Sequence, residues 1–422
     1  MKIKMTSIIS LLLAILIGIS CVGCAYEIKS EDLMYGYERK SKDRVNEEPV
    51  ALPAADNSSM TEFAVKLFKA SLEEGKNTLI SPLSVISALA MTAGGADGET
   101  LVQMEKVFGM DRDTLDQYLS SYIGGLPQGE KYKLDLANSI WINNRGNFAP
   151  NGDFLQHNAD YYGADIYESE FDDTTLRDIN NWVKDKTDGM IDSILDKIPA
   201  EAIMYLINAL AFDSDWEEQY DKYQVREGVF TKADGSRLNV DFMYSGESDY
   251  IEDELAVGFI KYYVGREYAF VALLPNEGVS IDEYINSLDG ERLNKMLTSP
   301  TPATINASIP KFETKYSVEM SEILSELGMT NAFDSTLSDF SKMGTADGNI
   351  YVNRVLHKTF ISVGEKGTRA GAVTAVEVNC ESAMMPIEEP KVIYLDRPFV
   401  YMLIDCENGI PFFIGAMMDP TK

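Results

Sequence analysis

Side chains that commonly carry out catalysis are scarce in this sequence. Its 422 residues include only two histidines, His157 and His357, which severely limits schemes in which a histidine activates a serine or cysteine nucleophile. The spacing Ser308-x-x-Lys311 is that of penicillin-recognising serine hydrolases. Those enzymes place the pair on a helix, whereas the alternation of TINASIPKFE and its Pro310 predict the end of a strand. A hydrolase that uses this pair is the weaker hypothesis, and the sequence predicts a protein that is not an enzyme.

The remaining composition argues against cofactors, metals and nucleic acid. From residue 25 onwards the sequence has no G-x-S-x-G, H-E-x-x-H, paired C-x-x-C or Walker A motif, and it gives no reason to expect a cofactor or a metal. Acidic residues number 67 against 37 basic residues, a formal net charge of −30. Such a chain repels phosphate backbones and anionic membrane surfaces, so nucleic acid is not expected as a partner.

The N-terminus has the features of an export signal. Two lysines precede an apolar run at residues 8–20, which is too short for a comfortable membrane span but long enough for a secretory signal. The following Gly23-Cys24 resembles the cleavage box of bacterial lipoproteins, in which a small residue precedes a cysteine that becomes lipidated. Cys21 is a second candidate for lipidation, and an ordinary signal peptide with two incidental cysteines is the alternative. We expect residues 1–23 to be a signal peptide and the mature protein to be extracellular, held at a bacterial membrane only by its lipid anchor.

Downstream of this signal, the chain divides into a short polar segment and one large domain. Residues 24–57 are polar and of mixed charge without sustained apolar periodicity, which predicts a flexible tether. Residues 58–422 contain no comparable linker or internal repeat and are interpreted as a single domain. Once Cys24 is acylated, only Cys380 and Cys406 remain, so no disulfide framework is expected.

Helical and strand patterns are unevenly distributed along this domain. Helices are predicted for segments with helical apolar periodicity: TEFAVKLFKASLEEG, SPLSVISALAMTAGGA and LRDINNWVKDKTDG. Strands are predicted for apolar and β-branched runs bounded by turn residues: LANSIWINN, AIMYLINALAFDSDW, EYAFVALLPNEG, TINASIPKFE, VLHKTFISV, RPFVYMLID and PFFIGAMM. Helices early and strands concentrated late favour an α+β fold.

One further stretch, GEKGTRAGAVTAVEVNCES at residues 364–382, is a run of small and β-branched residues. When the stretch is numbered in alternation, one face is uniformly small or β-branched and consists of Thr368, Ala370, Ala372, Thr374, Val376 and Val378. Because the side chains of a strand alternate between faces, the pattern predicts a strand with this face buried. The stretch itself does not say which sheet would receive it.

Six blocks of the domain together resemble the serpin family. They are NTLISPLSVISALAMTAGGADGET; ANSIWINN; INNWVKDKTDGMI; LINALAFDSDW; IPKFE with LGMTNAF and SDFSKM; and VLHKTFISVGEKGTRAGAVTAV followed by DRPFVYMLI and FFIGAMMDP. Their order and spacing are also those of the family, and the resemblance covers nearly all of residues 58–422. It implies three β-sheets, eight or nine helices, and an exposed reactive-centre loop at about residues 365–393.

The resemblance also implies a mechanism. In inhibitory serpins a serine protease cuts the reactive loop, and the N-terminal part of the loop inserts as a central strand of the largest sheet while the protease stays attached as a covalent acyl complex. This chain is therefore expected to be a monomeric suicide inhibitor whose partner is a serine protease. The hinge of the loop is expected to comprise Glu365, Gly367, Thr368, Arg369, Ala370, Gly371, Ala372, Val373, Thr374 and Ala375. A non-inhibitory serpin that acts as a binding or structural protein is the alternative.

Within this hinge, three residues depart from the usual family pattern. Arg369 replaces a glutamate but belongs to the outward set, where its charge can stay solvated. Gly371 replaces an alanine and weakens strand propensity. Val373 is bulkier than the usual alanine and is expected to slow insertion.

The position of the cleaved bond follows from family spacing. It lies sixteen residues after the hinge glutamate, at Glu381-Ser382, which implies a glutamate-preferring serine protease. Two neighbouring bonds are alternative cleavage sites. Cleavage after Cys380 would suit elastase-like enzymes, and Met384-Met385 is a further candidate.

Two other groups of residues match the family position by position. The shutter, a polar cluster beneath the opening of the sheet, is expected to consist of Ser81, Ser84, Asn208 and His357. The breach, where the loop first enters the sheet, is expected to consist of Trp216, Lys311 and Glu365. A Lys311–Glu365 ion pair would hold the top of the sheet, and it explains Lys311 without hydrolase chemistry.

Overall fold

A computed structural model of the chain describes residues 26–38, 54–127, 129, 131–199, 202–368 and 389–422. Within these ranges it contains nine α-helices and three β-sheets of seven, nine and two strands. The predicted α+β class and the predicted number of sheets and helices are confirmed.

The helices lie mostly in the first half of the described chain, and one of them, α2, is buried along its whole length. Their bounds are α1 Ala54–Ala70, α2 Pro82–Ala93, α3 Gly98–Phe108, α4 Arg112–Gly125, α5 Gly152–Tyr161, α6 Asp173–Lys186, α7 Ile281–Ser287, α8 Gly290–Thr298 and α9 Ser321–Glu326. None of these helices has the combination of length and apolar composition that a membrane crossing requires.

Local sequence explains where two functionally placed helices begin. At the start of α2, the Ser81 hydroxyl accepts a hydrogen bond from the backbone N–H of Ser84, and Pro82 occupies the first turn, where its missing N–H costs nothing. At the start of α6, Asp172 and Thr175 form a reciprocal capping box.

Sheet 1 has seven strands in the spatial order β1-β5-β3-β6-β15-β14-β12. Their bounds are β1 Glu31–Asp32, β3 Tyr132–Asn143, β5 Asp165–Ser169, β6 Met204–Asp215, β12 Phe312–Glu319, β14 Arg354–Val363 and β15 Gly367–Thr368. Strand β6 is nearly continuously buried because one of its faces packs against α6 and the other against the main core.

Sheet 2 has nine strands and provides much of the main core. Eight follow the order β16-β11-β8-β9-β10-β17-β18-β2, and β7 pairs with β8. Their bounds are β2 Thr78–Ile80, β7 Val225–Thr231, β8 Arg237–Glu252, β9 Ala256–Tyr262, β10 Tyr268–Pro275, β11 Thr301–Pro310, β16 Lys391–Tyr394, β17 Phe399–Asp405 and β18 Ile410–Met417. The small sheet 3 pairs β4 Ala149–Pro150 with β13 Gly344–Thr345.

Part of the segment predicted to be a flexible tether is folded, so that prediction is wrong for residues 26–38. Strand β1 pairs antiparallel with β5, and Met34 is 2% exposed. The Asp178 carboxylate on α6 accepts hydrogen bonds from the backbone N–H groups of Lys29 and Ser30 and from the hydroxyls of Tyr26 and Ser30. A polar segment without apolar periodicity can therefore be fixed by one buried carboxylate and one apolar side chain.

Candidate site of strand insertion

Two described residues of the hinge, Gly367 and Thr368, already lie in sheet 1 as strand β15. Strand β15 runs antiparallel to both of its neighbours, and Thr368 pairs with Ser214 of β6 and with Val363 of β14. Gly367 pairs with Asp215, and a Cβ atom at this glycine would lie 2.0 Å from the carbonyl oxygen of Ser214. Only glycine fits this close approach of two backbones.

Below Thr368 the two central strands have separated. Strands β6 and β14 pair in parallel only through Tyr205–Asn208 and Arg354–His357. Residues 209–213 of β6 pair with β3 on their other side, and residues 358–362 of β14 pair with β12, but the two segments do not pair with each other. This gap, defined by residues 209–213 and 358–362, leaves two facing strand edges where an extended segment can add.

The backbone of the hinge is held by residues that follow β6. The Trp216 indole N–H donates to the carbonyl oxygen of Gly364 at 2.8 Å, and the Trp216 backbone N–H donates to that of Lys366 at 2.7 Å. The Tyr220 backbone N–H donates to the carbonyl oxygen of Glu365 at 2.9 Å. Three consecutive hinge carbonyls are therefore bound by one short segment.

The predicted Lys311–Glu365 contact is present in the structure. Lys311 Nζ donates to Glu365 Oε1 at 2.7 Å, with the two side chains 35% and 39% exposed. Burial, the largest single influence, raises the pKa of Glu365, but the hydrogen bond and charge of Lys311 together with a backbone hydrogen bond outweigh it, and the net shift is downward. The structure thus brings together all three predicted breach residues.

The four predicted shutter residues also form one buried cluster. The backbone N–H of Ser81 donates to His357 Nε2 at 3.0 Å, so Nδ1 carries the ring proton and donates to Asn208 Oδ1 at 2.6 Å. The Ser84 hydroxyl donates to the same oxygen at 2.9 Å. Burial lowers the pKa of His357 to about 3, and the ring is neutral at ordinary pH. Asn208 Nδ2 is buried and has no hydrogen-bond partner within the described part of the chain.

The hydrolase hypothesis fails on geometry. Strand β11 ends at Pro310, as the sequence predicted, so Ser308 lies on a strand rather than a helix. The Ser308 hydroxyl is buried without a partner, while Lys311 Nζ is bound to Glu365. Among the described residues no base reaches this hydroxyl, and its burial keeps it away from a substrate.

Several predicted residues lie outside the described part of the chain. They are the lipidation candidates Cys21 and Cys24, the hinge residues Arg369, Ala370, Gly371, Ala372, Val373, Thr374 and Ala375, and the bond candidates Cys380, Glu381, Ser382, Met384 and Met385.

Sequence reasoning missed two residues that line the site. Tyr263, which is fully buried, lies beneath Thr368, with 2.5 Å between their hydroxyl oxygens. Lys261 is 2% exposed and pairs with Glu247. The signal that could have identified Lys261 is its position as a lone cation in the apolar strand AVGFIKY.

A seven-stranded sheet that opens at its centre, with the first residues of a small-residue loop seated at the top of the opening, defines a serpin. The family model of the serpins, which are serine protease inhibitors, matches residues 58–420, and the chain belongs to this family. The members of the family are generally protease inhibitors rather than enzymes.

Individual relatives agree with this assignment. The thermophilic serpin tengpin in its native state is 46% identical, with a TM-score of 0.86 over 92% of this chain and 99% of that one. Tengpin in its latent state is 47% identical, with a TM-score of 0.78 over 88% of this chain and 100% of that one. The leukocyte elastase inhibitor of Equus caballus is 30% identical over 383 residues, 86% of this chain and 99% of its own length.

Proposed function

We propose that this protein inhibits serine proteases by inserting its cleaved reactive loop into sheet 1 while the protease is still attached. The observation that supports the proposal is the position of Gly367 and Thr368, which are paired between β6 and β14 directly above the gap. A loop that begins as a central strand needs only to continue in the same register.

This register accounts for the pattern of small residues. Since Thr368 pairs with Ser214, extending the antiparallel ladder brings Ala370 beside Phe212, Ala372 beside Leu210 and Thr374 beside Asn208. The strand residues on this face are buried: Phe212 is 5% exposed, Leu210 is 3% and Asn208 is fully buried. Large or charged loop residues at these positions would clash or lose their solvation.

The outward face of the same register accommodates the unusual Arg369. Its pairing partners would be Asp213 and Ser362, both only partly buried. A cation directly across from a carboxylate is favourable in a sheet. The departure from the usual family residue is therefore compatible with insertion.

Inhibition follows from a competition between insertion and hydrolysis. The protease serine oxygen attacks the carbonyl carbon of Glu381, the bond to the nitrogen of Ser382 breaks, and that nitrogen leaves as an amine with the proton that the serine lost. An ester then links protease and loop. Some ten new backbone hydrogen bonds, at roughly 1 kcal/mol each, supply on the order of 10 kcal/mol to displace the protease and distort its active site, so that water no longer cleaves the ester.

For the target we propose a glutamate-preferring serine protease that cuts at Glu381-Ser382. The alternative is an elastase-like enzyme that cuts after Cys380 or Met384, and the similarity to a leukocyte elastase inhibitor supports including that class. The complex would contain one inhibitor and one protease.

The test is incubation of the full chain with a glutamate-specific and with an elastase-like serine protease. An inhibitor gives an adduct that survives boiling in detergent, and N-terminal sequencing of the released peptide locates the cut. Cleavage fragments without any adduct, from both proteases, would instead identify a non-inhibitory serpin. A protease whose catalytic serine is replaced by alanine serves as control, because it can bind but cannot form the ester.

We also propose that the protein is exported and tethered as a lipoprotein through Cys24. The apolar run at residues 8–20 and the Gly23-Cys24 pair support this placement. Expression of the full chain in a bacterium, with C24A and C21A variants, tests it. Loss of membrane association in C24A alone is expected, and an unchanged distribution in both variants would contradict the anchor.

A further inference from the structure

A buried lysine lies behind the residues that hold the hinge. Lys261, on β9, is 2% exposed. Its Nζ atom is 2.9 Å from Glu247 Oε1, and it sits over two aromatic rings, 4.6 Å from the Tyr220 centroid and 5.4 Å from the Trp216 centroid. An ammonium group shielded from water at these distances attracts both ring faces.

Glu247 is fixed in turn by its own hydrogen bonds. The Ser245 hydroxyl donates to Glu247 Oε1 at 2.6 Å and lies 3.2 Å from the Tyr220 hydroxyl. The contacts therefore run in a ring from Lys261 through Glu247, Ser245 and Tyr220 back to Lys261. We call this ring, together with Trp216, the lysine cage (Lys261, Glu247, Ser245, Tyr220 and Trp216). Each member restricts the orientation of the next.

The two aromatic members of the cage are the residues that bind the hinge. Trp216 donates hydrogen bonds to the carbonyl oxygens of Gly364 and Lys366, and Tyr220 donates to that of Glu365. The Trp216 ring also stacks on Tyr263 with centroids 4.5 Å apart. Only the bond to Gly364 comes from a ring, the Trp216 indole, and the other two come from backbone N–H groups. Movement of the Trp216 ring would therefore break a hinge contact directly, whereas movement of the Tyr220 ring would act through its backbone.

A purely structural ion pair is a poor explanation for this arrangement. Removing two charges from water is costly, and a well-packed apolar pair of similar volume commonly stabilises a core equally well. The lysine cage differs from such a pair because its cation contacts the two aromatic residues whose N–H groups donate to the hinge carbonyls.

We infer that Lys261, held by Glu247, is a positioning residue that fixes Trp216 and Tyr220 against the hinge and so keeps Gly367 and Thr368 seated in sheet 1. The inference deepens the proposed function, on which its consequence for inhibition rests. Without the cage, the hinge leaves the sheet more often, insertion starts later after cleavage, and more loops are hydrolysed before the protease is trapped.

Three variants of the full chain separate positioning from stability: K261M, E247Q and the double variant. Each single variant leaves a buried polar partner unpaired and should lower the melting temperature. The double variant removes both charges and should regain much of the melting temperature that each single variant loses. The matched control is K186M, since Lys186 lies 3.1 Å from Asp165 and 5.8 Å from the Trp182 centroid, on α6 and remote from the hinge.

The measurement is hydrogen exchange of the amides at residues 364–368, followed by mass spectrometry. We expect exchange on the order of tenfold faster in K261M and in the double variant, with K186M unchanged. The fraction of cleaved inhibitor that forms an adduct should fall in the same variants. If the double variant recovers both melting temperature and hinge protection, the lysine cage is merely structural and the inference is overturned.

The two proposals can fail separately. Hinge exchange needs no protease, so a wild-type protein that forms no adduct while its K261M variant loses hinge protection would refute the proposed inhibition and leave the positioning role standing.

Discussion

The hydroxyl oxygens of Thr368 and Tyr263 lie 2.5 Å apart beneath sheet 1, although the residues are separated by 105 positions in the chain. Thr368 is 2% exposed and Tyr263 is fully buried. The side chain of the first inward-facing hinge residue thus makes a polar contact with a buried aromatic residue. A small hydroxyl fits at this position, whereas a charged group would be buried without a partner.

Replacement of Thr368 by arginine should expel the hinge from the sheet. An unpaired charge at this buried position costs several kcal/mol, so we expect far less adduct and correspondingly more cleaved loop, measured by detergent gel after reaction with the target protease.

The matched control is T368S, which keeps the hydroxyl and should retain most of the adduct. An unchanged adduct yield in T368R would show that the hinge does not insert at this position.

Acid should loosen the hinge through Glu365. Its pKa lies below the ordinary value of 4.5 in the folded protein. The stabilisation of the hinge by the ionised Glu365 is therefore fully present above pH 4.5 and is lost as the pH falls through the lowered pKa. Both side chains are more than a third exposed, and screening keeps the effect below about 1 kcal/mol. Hydrogen exchange of the hinge, corrected for intrinsic rates at each pH, measures it.

The K311M variant should remove this pH dependence of the hinge, because Glu365 then loses the cationic partner that lowers its pKa. K315M is the control, since Lys315 pairs with the neighbouring Glu313 on the exposed surface. A hinge whose pH profile is the same in K311M and in the wild type would assign the dependence to another group.

His357 should make stability depend on pH over a wider range. Burial lowers its pKa to about 3 from an ordinary 6.5, so between these values the unfolded chain binds a proton that the folded chain does not. The free energy of unfolding should therefore fall as the pH drops from about 6.5 towards about 3, by up to about 1.4 kcal/mol per pH unit. Denaturant unfolding of wild type and H357N at several pH values tests this, and identical slopes would argue against a buried neutral imidazole.

Removal of the Asp178 carboxylate should release the N-terminal segment. In D178A the backbone N–H groups of Lys29 and Ser30 lose their acceptor. We expect the free energy of unfolding to fall by at least about 2 kcal/mol and residues 26–38 to be cleaved faster by a protease. D185A is the control, because Asp185 is exposed on the same helix. Equal protease resistance in the two variants would contradict the proposed attachment.

Thr374 should stabilise the cleaved form through the shutter. The extended register would bring its hydroxyl beside Asn208, whose Nδ2 donor has no partner among the residues that the structure describes. We expect T374V to reduce the gain in stability on loop cleavage by about 1 kcal/mol, measured as the difference between intact and cleaved protein in denaturant. T374S keeps the hydroxyl and should behave as wild type, whereas a full gain in T374V would place the loop in another register.

Much of the central architecture could be predicted because periodicity and local chemistry agree there. The strand predicted from AIMYLINALAFDSDW is β6, Met204–Asp215, and the helix predicted from SPLSVISALAMTAGGA is α2, Pro82–Ala93. The proximity of Lys311 to Glu365 followed from family resemblance, since their separation in sequence gives no local signal.

Other features depend on tertiary contacts that no local pattern encodes. Residues 26–38 resemble a tether because their partners, Asp178 and β5, lie far along the chain. The lysine cage was missed for a similar reason: a lone cation in an apolar strand marks Lys261 as unusual, but only the tertiary position of β8 shows that its partner is Glu247. Sequence indicates which residues are small, apolar or charged, but long-range pairing decides which of them meet.

The two residues of β15 have a kinetic consequence for the whole molecule. In a cooperative ladder the unfavourable step is the first pair, which fixes several dihedral angles for little bonding, and here that nucleus exists before any bond is cut. In the proposed mechanism, insertion would then be propagation alone, one residue at a time, without a diffusive search by the freed chain end. Its competition with hydrolysis of the ester would depend on how quickly each successive side chain, Val373 above all, passes between the parting strands.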